Sequence, residues 1–283
     1  VSDGVTLLFQ GTKQDSDIST LGGAAVAGRG HTLGLRAQFD LPNTDKFYQN
    51  FSFGIDYKNI EEDIVIGKDT VSSPIEYYPI SGNYGASWTG KDSFTEFNTS
   101  LNFNLRGLGS DESDYSNKRF NADGSYVYLR SDLTHTHDLK YGTQIFGKIQ
   151  GQLSSQPLIS GEQFSGGGLG TVRGYLESTL TGDNGVIGTV ELRSPSLIGT
   201  GDPKDTKSDE WRFHAFADGG FLGIYDPLPA QKKRSALASV GVGTRIKVRE
   251  HYNGSVDLGV PLIDQTDSQS GDIRVTFRGW ADF

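Results

Sequence analysis

Arg173 stands in the stretch SGGGLGTVRGYLES, Ser165–Ser178, a single cation among five glycines. Its planar fork can take a carboxylate through two parallel hydrogen bonds, which is the chemistry this residue offers on a bendable arm. Phosphate cradling is the other use of glycine-rich loops, and the spelling excludes it. Gly168 and Gly170 lack the third glycine of a dinucleotide fingerprint, no Gly-Lys-Ser/Thr occurs, and no helical pattern follows. Catalytic candidates are sparse. His135 and His137 share a strand face and can ligate a metal, but no third ligand is spaced to join them, so no metal site is assigned. Neither Gly-x-Ser-x-Gly nor His-Glu-x-x-His is present. The chain therefore reads as a non-enzyme without cofactor, with an enzymatic barrel as the remote alternative.

Composition narrows the class further. The 283 residues contain no Cys and no Met, which excludes disulfides and thiolate metal sites. The net charge is -9 and the 26 basic residues are scattered, so nucleic acid is not an expected partner. The longest small apolar run, Leu21–Gly28, is far below the roughly 20 residues of a spanning helix. The opening on Val1 leads to the expectation of a mature or truncated product.

The elements that must position Arg173 show period two. Leu33, Leu35, Ala37 and Phe39 oppose Thr32, Arg36, Gln38 and Asp40; Phe51, Phe53, Ile55 and Tyr57 oppose Ser52, Asp56 and Lys58. Phe97, Leu101, Phe103 and Leu105 are read as one strand face, with Asn98 and Asn102 on the other. About twelve such segments begin near Val5, Leu33, Phe51, Tyr78, Phe97, Tyr126, Ile145, Val186, Phe213, Ala236, Tyr252 and Ile273. Near Tyr126 the apolar face is ambiguous. A soluble sandwich also alternates, but its strands usually hold about 5–6 residues, whereas several here reach the ~9–11 of a membrane-spanning strand. The pattern predicts an all-β fold, a transmembrane antiparallel β-barrel of about twelve strands. The terminal segment alternates to Phe283 and resembles the carboxy-terminal assembly signal of bacterial outer-membrane barrels.

On this map the glycine-rich stretch falls in a long connection, residues 154–185. Val172, Arg173, Gly174 and Tyr175, preceded by Gly167, Gly168 and Thr171, resemble the loop motif of the BamA/TpsB superfamily of outer-membrane barrels. The resemblance implies an extracellular loop that folds into the lumen, its arginine paired with an acid in a pattern Phe/Gly-x-Asp-x-Gly. Phe216, Asp218 and Gly220 supply that pattern, with Arg212, His214, Phe216 and Asp218 on one face, expected to be wet. On the intervening strand, Glu191 is similar to an acidic residue of the family and is a second candidate partner; with Arg193 it also suits a plain lumen salt bridge. Tyr175 is expected against the inner wall or Phe216.

Residues Gly28–Asn59 resemble, in a Gly-x-x-x-Gly-Leu-Arg strand, a Leu-Pro turn and an FGIDYK-like strand, the two-partner secretion transporters of the haemolysin and adhesin type. The likeness runs from about Val5 to Phe283, with Val5 in the family's fifth strand. Family barrels have sixteen strands, a plug helix and POTRA domains, whereas this chain is expected to be one barrel domain, 1–283, without a POTRA-like unit or an amphipathic helix. The resemblance implies export of an unfolded exoprotein to the cell surface without nucleotide hydrolysis, through a channel lined by Asn98, Asn102, Gln150 and Gln152. Its implied partners are that exoprotein, outer-membrane lipid and the barrel assembly machinery, in the outer membrane of a Gram-negative bacterium. An outer-membrane protein assembly barrel is the alternative.

Overall fold

The computed structural model describes residues 4–19, 24–66, 69–199, 209–229 and 231–282. Its wall is one antiparallel meander made by β1 (Val5–Ser19), β2 (Ala24–Asp40), β3 (Phe47–Ile66), β5 (Ile80–Thr89), β6 (Ser93–Phe103), β7 (Val127–Asp138), β8 (Gln144–Ser154), β11 (Asn184–Arg193), β12 (Glu210–Gly223), β13 (Arg234–Val248), β14 (Tyr252–Pro261) and β15 (Arg274–Ala281). These are the twelve strands that the alternation predicts. One further strand, β4 (Asp69–Tyr77), pairs with the far half of β3. Two three-residue strands, β9 (Phe164–Gly166) and β10 (Leu180–Gly182), form a small ladder of their own within the long loop.

Period two decides which way each side chain points. Along β12, Trp211, Phe213 and Phe221 are exposed while Arg212, His214, Phe216, Asp218 and Leu222 are buried. The same rule puts Val190 and Leu192 of β11 outward and Glu191 inward. An outward aromatic and aliphatic band is what a lipid-facing wall requires. Near Tyr126 the ambiguity resolves: Tyr126 and Tyr128 are buried, and Val127 and Leu129 face out. In the two strands that carry the secretion-type likeness, Arg36 and Asp56 pair side by side at 2.8 Å.

The wall curves around the long loop, residues 155–183. A single loop residue, Glu162, is bonded from Lys58 on β3, Tyr77 on β4, Tyr128 on β7 and Gln152 on β8. In a flat sheet, β3 and β8 would lie four strand spacings apart, roughly 19 Å at ~4.8 Å each, too far for one residue to bridge. Among the described residues β1 and β15 end the strand order.

Two expectations need correction. The strand through Phe97 stops at Phe103, so Leu105 lies outside it: Asn104 turns inward, where its amide donates to Tyr115 Oη at 2.9 Å and Gly124 O at 2.7 Å. Residues 104–126 also hold a helix where none was expected, α1 (Glu112–Lys118). It is only seven residues long and starts where the Asp114 carboxylate accepts the Asp111 backbone N–H, too short to leave a helical period in the sequence. Because the strands alternate in direction, residues 104–126, 155–183, 224–233 and 262–273 gather at one end of the wall. The turns 41–46, 90–92, 139–143 and 249–251 gather at the other, where β11 also ends at Arg193 and β12 begins at Glu210.

The outward band sets a measurable asymmetry. Val190→Arg, at mid-strand on the outer face, is expected to lower stability by about 2–4 kcal/mol. Gln150→Arg, on the inner face, should change it by only ~0.5 kcal/mol. Equilibrium urea unfolding in phospholipid vesicles compares the two.

Candidate functional site

The loop reaches the wall as an ordered hook. Gly167 and Gly168 adopt φ of 107° and 95°, the left-handed region that glycine enters without strain. The Thr171 hydroxyl bonds to both polar groups of Gly167, and Gly168 N–H donates to Val172 O at 3.1 Å. Glu177 accepts the Leu169 N–H at 2.8 Å, and Lys148 of β8 donates to Gly170 O at 3.1 Å. These bonds turn the chain so that Arg173 projects onto the wall.

Arg173 is 4% exposed and surrounded by carboxylates. Its Nε and Nη2 donate to the two oxygens of Asp218, each at 2.8 Å, and its backbone N–H adds a third bond at 3.1 Å. Nη1 donates to Glu191 at 2.7 Å and to Asp257 at 3.3 Å. The guanidinium carbon lies over the Phe216 ring, 3.5 Å from its centroid, at cation–π distance. Burial by itself would lower the Arg173 pKa; the hydrogen bond and charge of Asp218, then those of Glu191, outweigh it and raise the pKa above its ordinary value.

Three buried carboxylates around one cation would repel each other without further compensation. Arg193 supplies it through two bonds to Glu191 Oε2 at 3.0 and 2.9 Å, and Arg245 through one to Oε1 at 3.0 Å. His214 Nε2 lies 2.7 Å from Asp257. Three arginines thus stand among three acids: Arg193 and Arg245 both serve Glu191, Asp218 and Asp257 share Arg173, and His214 is a further polar partner of Asp257. The face bearing Arg212 and His214, expected to be wet, is closed at both residues: they are 5% and 4% exposed, Arg212 donating to Gly142 O and Ser194 O and His214 lying against Asp257.

The backbone fits as closely as the charges. The tip lies on Gly259 of β14, where an added Cβ would come within 2.6 Å of Gly174 N and 2.9 Å of its Cα. Gly241 of β13 leaves the space that the Phe216 ring fills. Arg274 of β15 donates to Gly174 O at 3.3 Å, tying the tip to the last strand. Tyr175 does pack on the inner wall, in a buried group with Phe164, Val172, Ile187, Leu222 and Leu237, and its hydroxyl donates toward the carbonyls of Ala238 and Ile263 at 2.9 and 2.8 Å. Phe216 serves Arg173 instead.

The structure thus brings Val172, Arg173, Gly174, Tyr175, Phe216, Asp218 and Glu191 into one cluster. Gly220 sits apart from the charges, against Ile187, whose Cγ1 would lie 2.6 Å from an added Cβ. Phe283 lies outside the described residues. His135 and His137 stack on each other, and His135 bonds to the Thr95 hydroxyl at 2.8 Å. Gln152, expected to line a channel, is 1% exposed and donates to the carbonyls of Glu162 and Asp183, so it anchors the loop base. Asp257, Arg245, Arg274, Gly241 and Gly259 were not expected at the site. Inward parity was the available signal for Asp257, which alternates with exposed Val256 and Leu258.

The wall is one antiparallel meander with an outward apolar band, and a long loop is seated on its inner face. The model of the haemolysin secretion/activation proteins ShlB/FhaC/HecB matches residues 74–246, more than half of the chain, and the chain belongs to that family, outer-membrane β-barrels of the BamA/TpsB superfamily. It is an outer-membrane protein of the two-partner secretion type. Among solved structures it is similar to CdiB from Escherichia coli, with 18% identity, a TM-score of 0.76 and coverage of 98% of this chain and 50% of that one. CdiB from Acinetobacter baumannii gives 13%, 0.72, 98% and 48%. BamA from Haemophilus ducreyi lacking POTRA domains 1-3 gives 12%, 0.62, 99% and 62%. The chain spans about half the length of the two CdiB structures. No curated protein matches it in sequence.

The glycine trough makes a specific demand. Gly259→Ala forces the tip off β14 and should destabilise its seating by about 1–3 kcal/mol, the cost typical of overpacking. Limited trypsin digestion of the folded protein should then cut at Arg173 at least several-fold faster than in the unaltered protein.

Proposed function

We propose that the chain is the pore part of a transporter that carries a secreted protein, unfolded, from the periplasm to the cell surface without nucleotide hydrolysis and without catalysing a reaction. The end bearing the long connections faces outward, since outer-membrane barrels keep short turns on the periplasmic side. The loop then enters the lumen from outside. The observation that carries this reading is the Arg173 site: a loop cation held by Asp218, Glu191 and Asp257 on three wall strands. The site fixes the loop against one side of the wall.

On the other side, the inner faces of β3, β5, β6 and β7 carry Asn50, Asn83, Asn98, Ser100, Arg130 and Asp132 around a groove of about 270 Å³. Asparagines and serine, with one cation and one anion that offset each other, wet a passage without gripping an apolar segment, which suits a chain that must slide through. The secreted partner, the surrounding lipid and the machinery that inserts the barrel are the expected partners.

A second reading, insertion of other outer-membrane proteins, is favoured by the Arg274 bond that ties the loop tip to β15 at the end of the strand order. Restoration of barrel assembly, set against secretion of the exoprotein, separates the two readings.

Arg173→Ala leaves buried carboxylates without their shared cation, a loss of the kind that costs about 3–5 kcal/mol. Export should fall at least ~10-fold, since each 1.4 kcal/mol is a factor of ten, while heat-modifiable migration of the barrel stays normal. Undiminished export by this variant refutes the role.

A further inference from the structure

A second set of buried polar groups lies at the long-connection end, away from Arg173, on the loop's descending arm. Glu162 is 2% exposed. Its Oε1 accepts from Lys58 Nζ at 2.6 Å and Tyr77 Oη at 2.7 Å, and its Oε2 accepts from Tyr128 Oη at 2.7 Å. Its carbonyl accepts from Arg130 at 3.3 Å and Gln152 at 3.2 Å. All of these donors come from the wall. Around them Ile75, Tyr77, Tyr115, Tyr126, Leu158 and Ile159 form an apolar cluster that joins the loop arm to the 104–126 connection.

We infer that the Glu162 cluster is a releasable clamp that positions the descending arm and the 104–126 connection across the outer mouth of the pore, separately from the anchor at Arg173. The inference rests on the export reading of the loop. Three observations carry it. First, the clamp and Arg173 hold the same loop at points eleven residues apart on different strands, and the β9–β10 ladder closes off the segment that carries Arg173 from the arm that carries Glu162. One point can therefore open while the other holds.

Second, the chemistry suits a contact that must break and reform. An apolar anchor of equal size would hold at least as well, since buried ion pairs add little net stability over well-packed apolar groups. An apolar anchor stays costly when exposed to water. Glu162, Lys58 and the two phenols regain their hydration once the arm lifts, so the open state is less unfavourable.

Third, a knot at the loop base joins the same pieces. Asp183 is 0% exposed and accepts the backbone N–H groups of Leu158 at 2.9 Å and Tyr225 at 2.6 Å. Arg119, in the 104–126 connection, approaches it at 3.5 Å and donates to Tyr225 O at 2.7 Å. Arm and connection are thereby linked at a base that Gln152 and Gly223 tie to the wall, so release at Glu162 frees the arm beyond this knot.

The test uses the full-length transporter in intact cells, with Ile159→Cys as a reporter in a chain that has no cysteine of its own. Ile159 is 2% exposed, so a membrane-impermeant maleimide added outside should label the reporter slowly. Adding Glu162→Ala, or separately Tyr77→Phe with Tyr128→Phe, should raise the labelling rate at least ~10-fold, with heat-modifiable migration of the barrel unchanged. If Glu162→Ala prevents barrel formation, the hydroxyl-only variant decides. Wild-type labelling rates in the folded variants overturn the clamp. Arg173→Ala measured for export alongside keeps the two ideas apart: normal export there, with fast labelling in the Glu162 variant, would reject the export role of the tip and leave the clamp standing.

Discussion

A cation buried on a loop can stay buried only where the wall supplies matched carboxylates, and that constraint organises the molecule. Asp218, Glu191 and Asp257 sit on β12, β11 and β14, so their convergence requires correct register across four neighbouring strands. A one-residue slip of β11, β12 or β14 would turn its acid toward lipid. Arg193, Arg245 and His214 complete the set, and Phe216 forms its floor. Seating of the loop and register of the wall are therefore one condition.

The backbone obeys the same condition. Gly174 on the loop and Gly259 on the wall meet where Gly259 has no room for a side chain and Gly174 holds a φ of 94°. Gly241 admits the Phe216 ring, which in turn supports the guanidinium. In a strand interior glycine ordinarily weakens packing, and here it marks the close approach of another backbone. The charges set which residues meet, and the glycines set how near they come.

Much of this was legible in the residues themselves. Strict alternation on β11 and β12 was enough to point Glu191 and Asp218 inward, because in a strand parity alone fixes the face. The two matched motifs put Arg173 and Asp218 in one interaction before any coordinates. Asp257 and Arg245 stayed hidden because their relevance depends on which strands the loop tip overlies, and loop geometry has no period. The same holds for Glu162, whose partners Lys58, Tyr77 and Tyr128 lie 34 to 104 residues away in sequence. Gln152 was misjudged for the same reason: its inward direction was right, but the loop covering it could not be read. Helix α1 was missed because seven residues do not establish a helical pattern.

The central claim is that Arg173 and Asp218 act as one unit in holding the loop on the wall. A double-mutant cycle on this pair tests it most directly, with Arg173→Ala, Asp218→Ala and the double variant unfolded reversibly in lipid vesicles. The account predicts a coupling energy of about 1–3 kcal/mol, in the range found for residues in direct contact. Additive single effects, to within ~0.5 kcal/mol, would contradict it.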